Sequence, residues 1–159
     1  MKNTYLSIFL LGLVFCEGFS FTQGSTSSNA DPEAAAIRAT ALDYIDGFYN
    51  ADAPRMERAV HPELAKRMVR TDPKTGKSTL NQMSAMTLVQ RTRDGIGKRF
   101  TESQRLHDVT ILDRYQNAAV VKVVAAGWID YLEEVKFDGQ WKIINVLWEL
   151  KPGPEEAAK

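Results

Sequence analysis

The sequence predicts an α+β fold in which helices pack on one face of an antiparallel sheet. In the first half of the chain, apolar residues recur at three- and four-residue spacing, which is the period of a helix with one buried face. Residues 109–150 are instead rich in β-branched and aromatic residues, in the stretches 109–114, 118–137 and 140–150. Helices followed by a continuous run of strands are typical of an α+β domain.

The first residues predict an export signal. Lys2 precedes an apolar run over residues 5–15, which is shorter than the roughly 20 residues that a membrane-spanning helix needs. Small residues suited to cleavage follow at Gly18, Ser20 and Gly24. We therefore expect a signal peptide over residues 1–24 and a flexible tether over residues 25–33. The mature protein would be periplasmic or secreted, with no stable membrane insertion.

The single cysteine, Cys16, offers a minor alternative, in which it is the lipidated residue of a lipoprotein. Phe15 argues against it, because lipoprotein signals carry a small residue there. Loss of Cys16 with the signal would leave no thiol, and only His61 and His107 remain as histidines. We therefore expect neither a metal site nor a cofactor.

The formal net charge is zero, with 20 basic and 20 acidic residues, so overall charge gives no reason to expect nucleic acid as a partner. The balance is uneven locally. Between Arg55 and Arg105 there are 12 Lys or Arg residues against five Asp or Glu residues. This bias indicates either a basic rim that favours an anionic ligand or ordinary solvated helix faces.

The helices can be placed by their end signals. Asp31 is a capping residue, Pro32 suits the first helical position, and the first helix ends at residues 50–52. A second, short helix begins at Pro54 and is broken by His61-Pro62. Residues 64–71 are ambiguous but consistent with a short strand, and residues 72–77 have the composition of a turn. Ser84 caps a third helix that closes at Gly95, with its buried face predicted at Met86, Leu88 and Val89.

The strongest strand signal is Asp138-Gly139, which predicts a two-residue hairpin turn. That turn would pair Val135 with Lys142, Tyr131 with Val146 and Ile129 with Trp148. One face is then apolar, while the other keeps large apolar residues among polar ones, namely Trp128, Leu132, Trp141, Ile143 and Leu147. A second subunit covering this other face would explain them. A bulge within residues 118–137 would exchange the two faces.

Several short motifs occur in a familiar order. They are Tyr44-Ile45-Asp46-Gly47 followed by Asp52, His61-Pro62, a turn with Gly76, Ser84 before a helix, Asp130-Tyr131-Leu132, and Phe137-Asp138-Gly139-Gln140-Trp141-Lys142-Ile143. With these motifs, residues 34–152 resemble the bacterial "putative lumazine-binding" group of the nuclear transport factor 2-like (SnoaL-like) superfamily. The resemblance implies a cone-shaped, strongly curved antiparallel sheet with helices on its concave face, as in cystatin-like rolls. It also implies a pocket inside the cone and a homodimer formed through the sheet. Residues 153–159 would be a disordered tail.

Two residues are candidates for catalysis. Asp130 lies in an apolar strand, with Glu149 predicted diagonally across from it, and paired carboxylates can divide acid and base roles. His61 lies beside a helix end, where it could act as a base or bind a ligand. Structural roles explain both residues as well: a solvent-facing carboxylate pair and a turn.

A ligand site can also be predicted, from the aromatic residues. Tyr44, Tyr131 and Trp148 would contact a small planar ligand, with His61 near the mouth of the cone. Two hypotheses follow. The first is a non-catalytic module that binds a small, partly aromatic molecule, and the second is a cofactor-free isomerase, cyclase or hydrolase that uses Asp130 or His61. A structural or partner-binding role is the remaining alternative.

Overall fold

Residues 31–152 are described by a computed structural model, and they form three α-helices and six strands. The helices are α1 (Pro32–Asn50), α2 (Ala53–Ala59) and α3 (Ala85–Arg93), with two short 3₁₀ helices at Ile96–Arg99 and Glu102–Gln104. The strands are β1 (Val60–Thr71), β2 (Ser78–Ser84), β3 (Asp108–Tyr115), β4 (Ala118–Val124), β5 (Trp128–Phe137) and β6 (Gln140–Leu150). The predicted α+β class is confirmed. The expected signal peptide, Cys16, most of the tether and the C-terminal tail lie outside the described residues.

The helix starts follow the predicted caps. Asp31 Oδ1 accepts hydrogen bonds from the backbone N–H groups of Glu33 and Ala34 at 3.0 and 3.3 Å. Helix α1 begins at Pro32, as the capping signals predict, so the helix includes the last two residues of the stretch that was expected to be a flexible tether. Ser84 caps α3 in the same way, since its hydroxyl accepts the N–H of Thr87 at 3.3 Å. These side chains satisfy backbone donors that have no partner inside the helix.

Helix α2 ends at Ala59, just before His61-Pro62, but the strand that follows begins earlier than predicted. The chain passes from α2 directly into β1 at Val60, and both residues belong to the strand. Pro62 is tolerated because the pairing of β1 with β6 is irregular between Val60 and Ala65, so its missing N–H leaves no gap in the ladder. Strand β2 was not predicted. It is an edge strand with almost every residue exposed, so it has no apolar alternation to detect.

The strands form one sheet in the order β2-β1-β6-β5-β4-β3. Every neighbouring pair is antiparallel except β1 and β6, which run parallel. The expectation of a wholly antiparallel sheet is therefore wrong at this one pair. The two edges, β2 and β3, do not meet, and the sheet curls around the helices without closing. None of the helices among residues 31–152 is long and apolar enough to cross a membrane.

The predicted hairpin between β5 and β6 is confirmed. Asp138 and Gly139 have φ values of 50° and 79°, the left-handed conformation that a two-residue turn of this type requires. The predicted single stretch over residues 118–137 forms two strands. Ala125 donates its N–H to the carbonyl of Trp128 at 3.0 Å and closes the tight turn between β4 and β5.

A bulge at Ile144 shifts the register of β5 against β6. Glu134 pairs with Ile143, but Glu133 pairs with Asn145, so Ile144 is an extra residue on β6. The predicted pair of Val135 with Lys142 is therefore confirmed on the turn side of the bulge. Beyond the bulge, Tyr131 pairs with Leu147 and Ile129 with Glu149, and the predicted partners are wrong by one residue.

The structure corrects the predicted assignment of faces, and the bulge separates Leu147 and Glu149 from the residues with which they were expected to share a face. Trp128, Trp141 and Ile143, which were predicted to face a second subunit, are buried in the core on the inner side of the sheet. Of the predicted interface set, Leu147 is on the outer face and 60% exposed. Asp130 pairs with Trp148, and Glu149 falls on the opposite face, so the predicted carboxylate pair does not exist.

The core lies between the inner face of the sheet and the buried sides of the helices. Ile37, Ala41, Tyr44 and Ile45 of α1 pack against strand residues such as Val121, Leu132 and Ile143. The predicted burial of Leu88 and Val89 on α3 is confirmed. The predicted burial of Met86 is wrong, since its side chain is 82% exposed on the opposite side of that helix.

Candidate ligand-binding site

A cavity of about 280 Å³ lies between α1, α3 and the inner face of the sheet. We call it the cone cavity. Its lining combines apolar and aromatic side chains with four cations, and it contains no carboxylate: Tyr44, Ile45, Phe48, Met56, Met83, Leu88, Ile96, Trp128, Trp148 and Leu150, together with Lys66, Arg70, Arg91 and Arg99. Apolar walls with a few convergent polar groups are typical of small-molecule sites.

A buried polar cluster lies at the floor of the cone cavity. Asp130 is fully buried, and its Oδ1 atom accepts a hydrogen bond from Lys66 Nζ. The Trp128 indole N–H donates to Oδ2 at 2.6 Å and the Tyr44 hydroxyl at 3.2 Å. Lys66 Nζ also donates to the Tyr44 oxygen at 2.6 Å. Both carboxylate oxygens of Asp130 are therefore occupied by donors from its own chain.

The alternation of β1 and β5 brings these groups inward. The buried positions alternate along β1, at Leu64, Lys66 and Met68. They also alternate along β5, at Trp128, Asp130 and Leu132. A lysine and an aspartate are thus placed among core residues. Burying an ion pair is costly unless hydrogen bonds satisfy its atoms, as the tyrosine and the tryptophan do here.

Burial changes the acid–base properties of the cluster. It raises the pKa of Tyr44 well above its usual value of 10.0, and the negative charge of Asp130 adds to the shift. The phenol therefore stays protonated and can donate to Asp130. Burial also lowers the pKa of Lys66, while the neighbouring carboxylate opposes that shift.

Aromatic rings surround the Lys66 ammonium. Its Nζ atom lies 4.8 Å from the centroid of the Trp148 ring and 5.4 Å from that of Tyr44. Such cation–π contacts orient the rings as well as stabilising the charge. Trp128 is also held by neighbouring rings, through an edge contact with Phe48 and a tilted contact with Phe100, with centroid distances of 5.7 and 5.5 Å. Because Lys66 lies against its ring, half-buried Trp148 forms a fixed aromatic wall of the cone cavity.

A second, shallower depression of about 350 Å³ lies at the N-terminal end of α1. Its charged groups already bind one another. Glu33 accepts from Lys136 Nζ at 2.6 Å and from the Trp141 indole N–H at 2.9 Å, while Asp43 is paired with Arg58 at 2.9 Å. The cone cavity has aromatic walls and three arginines that form no ion pair with any residue of the described range 31–152, so it is the better candidate for a ligand site. Within residues 31–152, no three His, Cys, Asp or Glu side chains are grouped to hold a metal ion.

Comparison with known families fits this geometry. The family described as "Putative lumazine-binding" matches residues 32–149, nearly the whole described domain. The chain belongs to this family. The resemblance inferred from the short motifs is thereby confirmed. No curated protein matches the chain.

Solved structures share the fold of this family member at low sequence identity. A nuclear transport factor 2-like protein of unknown function from Methylobacillus flagellatus is 17% identical, with a TM-score of 0.59, and the match covers 79% of this chain and 97% of that one. A similar protein of unknown function from Silicibacter pomeroyi is also 17% identical, with a TM-score of 0.56 and coverage of 76% and 97%. An uncharacterized protein with a cystatin-like fold from Caulobacter vibrioides is 13% identical, with a TM-score of 0.53 and coverage of 80% and 95%. At these identities the likeness establishes the fold alone.

The predicted site residues of this family member do not all come together. Tyr44 and Trp148 line the cone cavity. Tyr131 lies on the outer face of the sheet, 40% exposed, because it alternates along β5 with Asp130 and Leu132, which point inward. His61 lies outside the cavity, where its ring contacts Phe137 at 4.8 Å and its Nδ1 accepts the Glu63 N–H at 3.1 Å.

None of the four cations that line the cone cavity was predicted individually as a site residue. Lys66 fell in a stretch of ambiguous periodicity, although its place between Leu64 and Met68 marks an inward position once β1 is known. Arg70, Arg91 and Arg99 come from three separate elements that only the tertiary fold brings together. The excess of Lys and Arg between residues 55 and 105 was the one available signal.

Proposed function

We propose that this protein is exported and that its domain binds a small, partly aromatic molecule in the cone cavity without transforming it. The observation that carries the proposal is the position of Trp148 and Tyr44 as walls of a cavity held in place by buried Lys66. Fixed aromatic rings offer stacking surfaces worth on the order of 1 kcal/mol each beyond burial. Two stacks and a hydrogen bond would support an affinity of roughly micromolar.

The size of the cone cavity supports a ligand of one or two rings. An apolar cavity of about 150 Å³ holds benzene, so about 280 Å³ is suited to a bicyclic system. The family description points to the same class, since lumazine is a bicyclic pteridine.

Binding without catalysis is favoured by the state of the two candidate catalytic residues. Asp130 has both oxygens engaged by Lys66, Tyr44 and Trp128, so it presents no free base to a ligand. His61 does not line the cone cavity. The alternative of a cofactor-free isomerase, cyclase or hydrolase stays a prediction. Turnover of a carbonyl substrate that is lost in a folded Asp130→Asn protein would support it.

Binding is tested by isothermal titration calorimetry with lumazine and other bicyclic heterocycles. Trp148→Ala should weaken binding by about tenfold or more, because it removes one stacking wall. Tyr131→Ala is the matched control, since it removes an aromatic ring from the outer face of the adjacent strand. Absence of binding at millimolar ligand, or equal losses in the two variants, would contradict the proposal.

The proposed export rests on Lys2 and the apolar run over residues 5–15. Mass spectrometry of protein recovered from periplasm or medium should give an N-terminus between about residues 20 and 31, within the range where small residues permit cleavage. An intact Met1 on a cytoplasmic product would contradict export. Fatty acylation of Cys16 would support the lipoprotein alternative.

We further propose a homodimer formed through the outer face of the sheet. Val120, Tyr131 and Leu147 lie on the adjacent strands β4, β5 and β6, with exposures of 37%, 40% and 60%. Basic Lys122 and acidic Glu133 lie on the same face. A face that carries apolar residues and both charge signs can be complementary to itself about a two-fold axis. A second copy of the chain is therefore the occupant that this face suits.

A further inference from the structure

The arginines of the domain divide into two groups. All ten lie within residues 31–152, and seven of them donate side-chain hydrogen bonds to acceptors of the chain: Arg38, Arg55, Arg58, Arg67, Arg93, Arg105 and Arg114. The other three, Arg70, Arg91 and Arg99, form neither an ion pair nor a side-chain hydrogen bond with any described residue. All three line the cone cavity.

Three separate elements bring these guanidinium groups to one opening. Arg70 lies near the end of β1, Arg91 in the last turn of α3, and Arg99 at the end of the first 3₁₀ helix. Arg99 lies 4.9 Å from the ring centroid of Phe100, a contact that leaves its N–H donors available. The exposed guanidiniums surround an interior that is aromatic and apolar.

The charge of this opening is not balanced by the lining. Lys66 is compensated by Asp130, and no carboxylate lines the cavity. Three positive charges therefore remain around a concave, largely apolar site, an arrangement that concentrates the electric field and attracts anions. The planar donor fork of arginine matches the two oxygens of a carboxylate or the oxygens of a phosphate.

We propose that the ligand is a planar aromatic acid. Its ring system lies against Trp148 and Tyr44 inside the cone cavity, and its oxyanion is bound at the mouth by Arg70, Arg91 and Arg99. This inference rests on the proposed binding function and specifies its ligand class. It separates an acid from a neutral heterocycle of the same size, which the aromatic walls alone would accept equally.

The test compares 2-naphthoate with 2-naphthamide by isothermal titration calorimetry, because the two share a ring system and differ in charge. The intact domain should bind the acid about tenfold or more tightly than the amide, since hydrogen bonds to a charged group are the stronger ones. Arg91→Gln and Arg70→Gln should each weaken naphthoate binding by about tenfold and change naphthamide binding by less than about twofold.

Each variant has a matched control on its own element. Arg93→Gln removes an arginine from α3 that pairs with Glu57 at 3.1 Å outside the cavity. Arg67→Gln removes one from the outer side of β1 that bonds Gln82 at 3.3 Å. Both controls should leave the ratio of naphthoate to naphthamide affinity unchanged.

The possible results separate the preference for an aromatic acid from the more general proposal that the cone cavity binds an aromatic molecule. If both compounds bind equally well, the preference for an anion is wrong and aromatic binding stands. If the control arginines reduce naphthoate binding as much as Arg70→Gln and Arg91→Gln, the effect is general charge attraction and the assignment of the mouth is overturned. If neither compound binds at millimolar concentration, both the inference and the proposed function fail.

Discussion

Lys66 on β1 donates a hydrogen bond to Asp130 on β5, although β6 lies between the two strands in the sheet. The lysine side chain reaches across the intervening strand, and its ammonium lies 4.8 Å from the ring centroid of Trp148 on β6. The pair therefore joins three strands beneath the cone cavity and fixes the ring that forms its wall. The stability of the fold and the shape of the site depend on the same contact.

Breaking this pair should be strongly destabilising. Asp130→Asn leaves the Lys66 charge buried without its carboxylate, and we expect a loss of about 3–5 kcal/mol in the free energy of unfolding measured with urea. Glu57→Gln is the control, because it breaks the exposed Arg93 pair and should cost less than about 1 kcal/mol. Replacing both members of the buried pair, as Lys66→Met with Asp130→Leu, should recover most of the loss. Equal losses in the free energy of unfolding for Asp130→Asn and Glu57→Gln would contradict the claim that the buried pair stabilises the fold more than an exposed pair.

The burial of the Glu134 carboxyl group leads us to expect that the protein becomes less stable as the pH rises. It is 1% exposed on the inner face of β5, and neither carboxylate oxygen has a hydrogen-bond partner among the described residues. Burial raises its pKa from 4.5 to about 8. Because the folded state holds this proton more tightly than the unfolded state, its contribution to stability is full below pH 4.5 and is lost as pH rises to about 8.

This loss amounts to at most about 1.4 kcal/mol per pH unit within that window. Urea unfolding at pH 5 and pH 8 should therefore show a less stable protein at pH 8, and Glu134→Gln should reduce the difference. Glu133→Gln is the matched control, since its side chain is exposed and bonds Asn145 at 2.8 Å. The same pH dependence in the wild-type protein and Glu134→Gln would contradict this account of Glu134.

Local signals allowed much of the fold to be predicted. Asp31 and Ser84 mark helix starts, and Asp138-Gly139 marks the hairpin, because each acts through hydrogen bonds or dihedral angles within a few residues. The parallel pairing of β1 with β6 joins residues far apart in sequence, so no local pattern reveals it.

The site was harder to predict because one residue decides its geometry. Ile144 is an ordinary apolar strand residue, yet as the bulged residue of β6 it sends Val146 and Trp148 inward and Leu147 outward. A one-residue shift in register moves every later side chain to the other face. Tyr44 and Trp148, two of the predicted ligand contacts, line the cavity. The three arginines at its lining come together only through tertiary contacts, which sequence spacing does not encode.

The outer face of the sheet gives a prediction about assembly. Leu147→Glu should convert the proposed dimer into monomers, because a carboxylate would replace an apolar side chain at the centre of that face. Analytical ultracentrifugation at micromolar concentration measures the change. Met86→Glu is the control, as this residue is 82% exposed on α3, away from the sheet. A wild-type protein that already sediments as a monomer would contradict the dimer.

The central claim, that a small aromatic molecule occupies the cone cavity, is tested most directly by the indole N–H resonances of the three tryptophans. In a ¹H–¹⁵N titration of the folded domain with 2-naphthoate, the Trp148 signal should shift and saturate, because its ring forms the cavity wall. The Trp141 signal should stay in place, since its N–H is bound to Glu33 at 2.9 Å, away from the cone cavity. An unmoved Trp148 signal at millimolar ligand, or equal shifts of Trp148 and Trp141, would contradict the account.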